Sequence, residues 1–196
     1  MTLFFLLSAL SFIIGSVPVG VVIAGIKGVD LRKVGSGNIG ATNVLRAMGK
    51  IPAILTLAGD MLKGVVPVIA GRYFFDNPAI VWVIGLSAIL GHNFSIFLGF
   101  KGGKGVATSI GVILVYSPVA GAITIAAWLV TAFITRYSSM GAMIAFGILP
   151  LSIYLFDYSA EKVIISVMIA VLLMLRHAGN IKRLIEGTES KIGVRT

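Results

Sequence analysis

The sequence predicts an all-α integral membrane protein with about seven transmembrane helices. Of its 196 residues, 58% are hydrophobic and only 12% are charged, whereas an average soluble protein is roughly a quarter charged. Apolar segments recur along the whole length, and a helix needs about 20 apolar residues to cross a hydrocarbon core roughly 30 Å thick. These segments use up the chain, so we expect a single polytopic membrane domain over residues 1–196 and no soluble domain.

The predicted helices follow the apolar segments in chain order, at residues 4–24, 51–71, 79–98, 106–115, 119–135, 140–156 and 163–175. The fourth and fifth must form a hairpin that turns near Pro118, because the basic residues Lys104 and Arg136 flank them and belong on one side of the membrane. Each arm is short for a full span, so a partly re-entrant hairpin is the alternative.

Basic residues concentrate in alternate loops and predict the orientation. Most of the sixteen lysine and arginine residues lie in one set of loops: Lys27, Arg32, Lys33, Arg46, Lys50, Lys101, Lys104, Arg136, Arg176, Lys182, Arg183, Lys191 and Arg195. By the positive-inside rule this set is cytoplasmic, which places the N-terminus outside and the C-terminus in the cytoplasm. Because topology accounts for the net charge of +9, nucleic acid is not expected as a partner.

The first polar stretch is GSGNIGATN at residues 35–43, followed by Arg46. Glycines let the backbone adopt positive φ and approach a ligand closely, while hydroxyl and amide side chains supply donors and a helix N-cap. Successive N–H groups in such a turn form an anion nest, which suits a phosphate, although an ordinary capped loop is the alternative. The candidate binding residues are Ser36, Gly37, Asn38, Gly40, Ala41, Thr42, Asn43 and Arg46.

The second polar stretch, GHNFSIFLGFKGGKGVAT at residues 91–108, does not fit the nucleotide-binding pattern G-x-x-x-x-G-K-[ST]. What remains is a lysine-bearing glycine loop before a helix at Val106, whose N-terminus attracts anions. Lys101 and Lys104 can also be topology markers, but a topology marker does not need the close backbone approach that glycines allow. The candidate binding residues are Lys101, Gly102, Gly103 and Lys104.

Ionisable residues also lie within two predicted spans. His92, beside Asn93, is about two turns from the cytoplasmic end of the third span, and is either a functional group or a hydrogen-bonded structural histidine. Asp60 and Lys63 share one face of the second span and form either a structural pair or a polar wall beneath the site.

The third polar stretch is RHAGNIKRLIEGTE at residues 176–189. His177 and Asn180 share a helix face if the last helix continues. The basic residues Arg176, Lys182 and Arg183 are predicted to snorkel or to contact lipid headgroups. Glu186 and Glu189 are predicted to be solvated tail charges rather than catalysts.

All three stretches belong to the predicted cytoplasmic face, so we expect them to form one phosphate site. The chain has no cysteine, only two histidines and scattered carboxylates, which predicts neither a metal site nor a cofactor. Acyl transfer from an activated donor requires positioning, anion stabilisation and one base, and fits these residues best. A transporter for a phosphorylated small molecule is the alternative, although no symmetry between the halves of the chain favours it.

The segments SGNIGATN, DMLKG, GHNFSIFLGFKGGKGVAT and RHAGNIKRLIEGTE, in this order and spacing, resemble the signature of the bacterial acyl-phosphate:glycerol-3-phosphate acyltransferases, the PlsY family. The resemblance implies a multi-pass enzyme of the bacterial inner membrane with its active site facing the cytoplasm. It would transfer a fatty acyl group from acyl phosphate to the sn-1 hydroxyl of glycerol 3-phosphate without a covalent acyl-enzyme. The products would be lysophosphatidate and phosphate, and the enzyme would need only its two substrates and the bilayer, a monomer being sufficient.

The resemblance also suggests roles for the site residues. The phosphates would be held by Ser36, Arg46 and Lys104, together with loop amides that include those of Gly102 and Gly103. Five further side chains would orient glycerol 3-phosphate and the acyl carbonyl: Asn38, Asn43, Asn93, His177 and Asn180. The base would be His92, His177 or the phosphate of the acceptor. Neither histidine has an aspartate five positions later, unlike the His-x-x-x-x-Asp acyltransferases: Phe97 and Lys182 occupy those positions.

Overall fold

The structure, a computed structural model, describes residues 1–193, and within that range it contains helices and no β-strand. The predicted all-α fold class is therefore confirmed. Arg195, counted above among the basic residues, lies outside the described residues. The helices are α1 (Thr2–Ser16), α2 (Val19–Ile26), α3 (Ala41–Met48), α4 (Lys50–Phe74), α5 (Pro78–Asn93), α6 (Val106–Tyr116), α7 (Pro118–Thr135), α8 (Ser138–Asp157), α9 (Ala160–Arg176) and α10 (Ala178–Ile185), with a 3₁₀ turn at Ile96–Leu98.

Among residues 1–193, five helical segments are long and apolar enough to cross a membrane: Thr2–Ile26, Lys50–Phe74, Pro78–Leu98, Pro118–Thr135 and Ser138–Asp157. The pair α9 and α10, bent by 57°, would make a sixth if it forms one broken span. Helix α6 is apolar but only 11 residues long, as expected for a short hairpin arm. The number of crossings and the orientation in the membrane remain predictions.

The chain divides into two compact units, Met1–Val112 and Ile113–Ile192, so a single domain over the whole chain also remains a prediction. In the first unit, α5 packs against α1 through two glycines that bring the helices into close contact. A Cβ atom at Gly15 would lie 2.1 Å from the Ala88 carbonyl oxygen, and one at Gly91 would lie 2.1 Å from that of Phe12. Small residues allow such backbone contact between membrane helices.

The first predicted span is not continuous, because Val17 and Pro18 separate α1 from α2. Proline lacks an N–H group and its ring clashes with the preceding turn, so it interrupts the helical hydrogen bonds. Side chains from other parts of the unit donate hydrogen bonds to the backbone carbonyls at this break. The Nζ of Lys63 donates to the Val17 carbonyl at 2.8 Å, and the Oγ of Ser95 donates to the Ser16 carbonyl at 2.5 Å.

Helix α3 was not predicted, and it supports the GSGNIGATN loop. Its Val44 is fully buried in a small core with Ala24, Leu31 and Ala53. Gly49, at φ 87°, ends α3 and precedes α4. The loop is therefore anchored at its C-terminal end by a packed helix.

In the second unit, α8 packs between α7 and α9. The predicted turn near Pro118 is confirmed, since α6 ends at Tyr116 and α7 begins at Pro118. Asp157, at the end of α8, accepts hydrogen bonds from the hydroxyl of Ser117 and, at 2.7 Å, from the Nζ of Lys162. Asp157 thus ties the α6–α7 turn to the α8–α9 turn.

Candidate active site

The GSGNIGATN loop is braced from within by Asn43. This side chain is buried, and its Oδ1 accepts a hydrogen bond from the Ser36 amide at 3.0 Å. Its Nδ2 donates to the carbonyls of Leu31 and Val34, each at 3.0 Å. Because these bonds use both amide protons of Asn43, the structure indicates that the residue shapes the loop.

The same loop presents the N-terminus of α3. Gly35 and Gly37 have φ of 57° and 68°, which glycine adopts without strain. Gly40 is the N-cap, and no side chain caps the helix, so the predicted side-chain N-cap is wrong. Ser36 is partly exposed in the loop before this N-terminus, and Arg46, also partly exposed, is in the last turn of α3. An uncapped helix start with polar side chains nearby suits an anion.

The glycine loop at residues 101–105 packs tightly on the end of α5. The Gly102 amide donates to the Asn93 carbonyl at 3.2 Å, and the Gly103 amide donates to the His92 carbonyl at 3.0 Å. Both amides thus bond to α5, which differs from the prediction that they bind phosphate. A Cβ atom at Gly103 would lie 2.2 Å from His92 Nε2, and one at Gly102 would lie 2.1 Å from the His92 carbonyl oxygen. Glycine is required here for close packing.

Lys104 follows directly, partly buried, between Gly103 and Gly105, the latter at φ 80°. Lys101 is exposed, and its carbonyl accepts a hydrogen bond from the guanidinium of Arg32 at 2.9 Å. Arg32 therefore ties the segment before the GSGNIGATN loop to the glycine loop. Sequence reasoning missed this role because Arg32 counted only as a topology marker, and no local pattern pairs residues so distant in the chain.

His92 is in the last turn of α5, which ends at Asn93, and lies inside the apolar segment Pro78–Leu98. The predicted pair in α4 is confirmed, with 2.9 Å between Asp60 Oδ1 and Lys63 Nζ. The same Asp60 oxygen lies 3.7 Å from His92 Nδ1. A carboxylate thus accompanies His92 after all, from another helix, where spacing along one segment cannot reveal it.

Asn93 is buried beside the glycine loop and has one unused acceptor. Its Nδ2 donates to the Ile89 carbonyl at 3.0 Å, within α5. Among residues 1–193, its Oδ1 has no hydrogen-bond partner. Buried polar atoms are normally satisfied, so this oxygen suits a donor supplied by a ligand, such as a hydroxyl group.

In the second unit, His177 occupies the bend between α9 and α10. The condition for His177 and Asn180 to share a face of the last span, a helix that continues, is not met, because α9 ends at Arg176 and α10 runs at 57° to it. Both side chains are nevertheless buried. The Nδ1 of His177 lies 2.8 Å from the Leu173 carbonyl oxygen. Since a carbonyl only accepts, Nδ1 must carry the proton, and in neutral His177 the lone pair is on Nε2.

Glu189 is not a solvated tail charge, since its side chain is only 8% exposed. Its Oε1 accepts from Asn180 Nδ2 and from Ser139 Oγ, each at 2.6 Å, and its Oε2 accepts from Arg183 Nε at 2.7 Å. Arg183 therefore pairs with Glu189, and its contact with lipid headgroups remains a prediction. The chain folds back after α10, a long-range event that the local charge pattern did not indicate.

The Glu189 contacts predict an acid-labile contribution to stability. Burial raises the pKa of the carboxyl group, but the hydrogen bonds from Ser139, Asn180 and Arg183 and the Arg183 charge outweigh it and bring the pKa below its ordinary value of 4.5. A lowered folded-state pKa stabilises the fold above the unfolded-state value, and this contribution is lost as the pH falls through the folded-state pKa. The Tm difference between wild type and Glu189→Gln should therefore be full at about pH 7 and shrink below about pH 4.5.

Glu186→Gln is the control, because Glu186 is 49% exposed and its oxygen lies 3.8 Å from Lys182 Nζ. Its Tm should stay close to that of wild type across the same pH series. A Tm difference for Glu189→Gln that does not change with pH would contradict the charged-network interpretation.

That the second-unit residues act together with the two loops remains a prediction.

Among residues 1–193, no three histidine or carboxylate side chains lie close enough to hold a metal ion.

The chain is similar to a known family of proteins over most of its length. The sequence profile described as "Glycerol-3-phosphate acyltransferase" matches residues 5–187. The chain is 46% identical to the glycerol-3-phosphate acyltransferase of Geobacter sulfurreducens over 189 residues, which cover 95% of this chain and 96% of that protein. It is 50% identical to the enzyme of Francisella philomiragia over 162 residues, which cover 83% and 79%.

Two solved structures are also similar. Both are crystal structures of PlsY, an integral membrane glycerol 3-phosphate acyltransferase, one in its glycerol 3-phosphate form and one in its lysophosphatidic acid form. The first has a TM-score of 0.92 and 38% identity, and covers 97% of this chain and 96% of that one. The second has a TM-score of 0.90 and 37% identity, and covers 97% and 95%.

Proposed function

This chain belongs to the glycerol-3-phosphate acyltransferase family of integral membrane enzymes, and we propose that its acyl donor is an acyl phosphate. The reaction would transfer a fatty acyl group to the sn-1 hydroxyl of glycerol 3-phosphate and give lysophosphatidate and phosphate. The observation that carries the proposal is the pair of loops in the first unit, joined by the bond between Arg32 and the Lys101 carbonyl. Together they present Ser36, Arg46 and Lys104 with the uncapped start of α3, a set that matches phosphate.

Binding of the acceptor divides between charge and hydrogen bonding. Arg46 and Lys104 neutralise phosphate, and the Ser36 hydroxyl donates to it. The buried Asn93 Oδ1 accepts a hydrogen bond from a glycerol hydroxyl, which supplies the donor that the protein does not. The solved relative in its glycerol 3-phosphate form supports this choice of acceptor.

The chemical step needs no covalent acyl-enzyme. The sn-1 oxygen attacks the acyl carbonyl carbon and forms the new ester bond, while the bond between that carbon and the phosphate oxygen breaks and phosphate leaves. The hydroxyl proton passes to the lone pair on His177 Nε2 or to the phosphate of the acceptor. The close packing of Gly103 on His92 Nε2 argues against His92 as the base.

The choice of acyl phosphate as the acyl donor rests on how little activation the site has to supply. An acyl phosphate is a mixed anhydride that is already activated, so positioning and anion stabilisation suffice. The cationic loops that hold the acceptor phosphate also suit the phosphate of the donor. The acyl chain would lie in the bilayer, and the basic loops would face the cytoplasm at the bacterial inner membrane, as the positive-inside rule predicts.

The test is lysophosphatidate formation by detergent-purified protein given glycerol 3-phosphate and palmitoyl phosphate, with palmitoyl-CoA in a parallel reaction. We expect product from palmitoyl phosphate only. Product from palmitoyl-CoA alone would overturn the donor, and no product from either donor with folded protein would overturn the reaction and direct the test to uptake of phosphate esters in liposomes.

A further inference from the structure

The most deeply buried charges of the first unit have no part in the proposed reaction. Asp60 and Lys63 are each 5% exposed, and the neighbouring His92 is 4% exposed. Removing such charges from water is costly, and replacing a buried ion pair by apolar side chains is often neutral or stabilising. Stability alone therefore does not explain why the chain has this pair.

The Asp60–Lys63 pair is connected to the glycine loop through His92 at the end of α5. Asp60 Oδ1 is 3.7 Å from His92 Nδ1, longer than a hydrogen bond, so the buried carboxylate lies against the imidazole ring without a direct bond. The other side of His92 contacts the loop: its carbonyl accepts from the Gly103 amide at 3.0 Å, and its Nε2 packs on Gly103. His92 thus connects the Asp60 carboxylate to the loop that carries Lys104.

The same segment of α4 also packs closely against α6, the helix that follows the glycine loop. A Cβ atom at Gly64 would lie 2.2 Å from the Thr108 carbonyl oxygen of α6, and one at Gly111 of α6 would lie 2.2 Å from the Met61 carbonyl oxygen. Residues 60–64 therefore contact both helices that flank the loop. A third contact, from Lys63 Nζ to the Val17 carbonyl at 2.8 Å, secures the break between α1 and α2.

We propose that Asp60 and Lys63 are positioning residues, which hold His92 and through it the glycine loop in the conformation that binds the phosphate of glycerol 3-phosphate. This inference rests on the proposed function of that loop. His92 is then also a positioning residue and not the base, since Gly103 occupies the space where a substrate hydroxyl would have to approach Nε2.

The expected result follows from what each change removes. Asp60→Ala leaves the Lys63 cation buried with the Val17 carbonyl and removes the carboxyl group that lies against His92, so the ring and the loop should shift. We expect glycerol 3-phosphate to bind at least about tenfold more weakly, a loss of about 1.4 kcal/mol, and KM to rise more than kcat falls. The conservative double variant Asp60→Asn/Lys63→Gln keeps a polar contact chain, and we expect it to recover most of the affinity.

The experiment measures the Kd of glycerol 3-phosphate by calorimetry on the full-length, detergent-purified protein, with Tm recorded for every variant. If Asp60→Ala does not fold, Asp60→Leu/Lys63→Met replaces it, because an apolar pair of similar size is tolerated in buried sites. We expect the same affinity loss from that double variant. The matched control is Asp157→Ala, which breaks the 2.7 Å pair with Lys162 in the second unit and should lower Tm without changing Kd.

Three outcomes are distinguishable. Weaker binding in the α4 variants with unchanged binding in Asp157→Ala supports the positioning role. A lowered Tm with wild-type Kd and KM in the α4 variants shows that the pair is only structural and overturns the inference alone. Wild-type protein that is folded but does not bind glycerol 3-phosphate overturns the proposed function itself, and the inference with it.

Discussion

Replacing Gly103 by alanine is expected to lower kcat/KM for glycerol 3-phosphate by about 100-fold, the effect of displacing a site group by about 1 Å. The new Cβ atom would lie 2.2 Å from His92 Nε2, and the other two nearest atoms, both at 3.0 Å, belong to the same ring. The ring is buried and cannot retract easily, so the loop must move and take Lys104 with it. Steady-state kinetics with varied glycerol 3-phosphate, with KM and kcat resolved, measures the effect.

Gly25→Ala is the matched control for this change. Gly25 is in α2, has no atom within 4 Å of an added Cβ atom and does not have positive φ. Its kinetics should equal those of wild type, and its stability should be equal or slightly higher because alanine is the better helix former. Wild-type KM and kcat in Gly103→Ala would mean that the loop does not need its close packing on α5.

Replacing Asn43 by alanine is expected to destabilise the protein by about 2–4 kcal/mol, since each buried polar group left unsatisfied costs about 1–3 kcal/mol. The change leaves the Ser36 amide and the carbonyls of Leu31 and Val34 without their hydrogen bonds to the Asn43 side chain. Water can reach part of the loop, which limits the loss. Because the loop bearing Ser36 is released, we also expect KM for glycerol 3-phosphate to rise by about tenfold or more.

Two variants delimit this prediction. Asn77→Ala removes a single exposed bond, from the Ala79 amide to the Asn77 side chain at 2.9 Å, and should cost about 1 kcal/mol or less, with unchanged KM. Asn43→Asp keeps an acceptor for Ser36 but loses both donors, so it should fall between wild type and Asn43→Ala. Thermal unfolding and kinetics on the same preparations check both effects, and equal Tm values for Asn43→Ala and Asn77→Ala would refute the brace.

Local sequence patterns were sufficient for features that depend on neighbouring residues. Apolar segments long enough for the bilayer predicted helices such as α4 and α8, and Pro118 marked the turn between α6 and α7. Spacing also predicted the Asp60–Lys63 pair, because residues three apart face each other on a helix. The order and spacing of the polar segments, including DMLKG and RHAGNIKRLIEGTE, indicated the family.

The sequence by itself thus determined the membrane class, the approximate helix positions, the family and the two loops to which we assign phosphate binding. Only the tertiary structure decided that Asp60 accompanies His92, that Arg32 joins the two loops and that Glu189 is buried against Asn180. Each of these depends on groups brought together by packing, either from distant segments or by a chain that folds back on itself. Hydropathy and helical periodicity report the environment of one segment at a time, so they cannot specify which of many polar residues will meet.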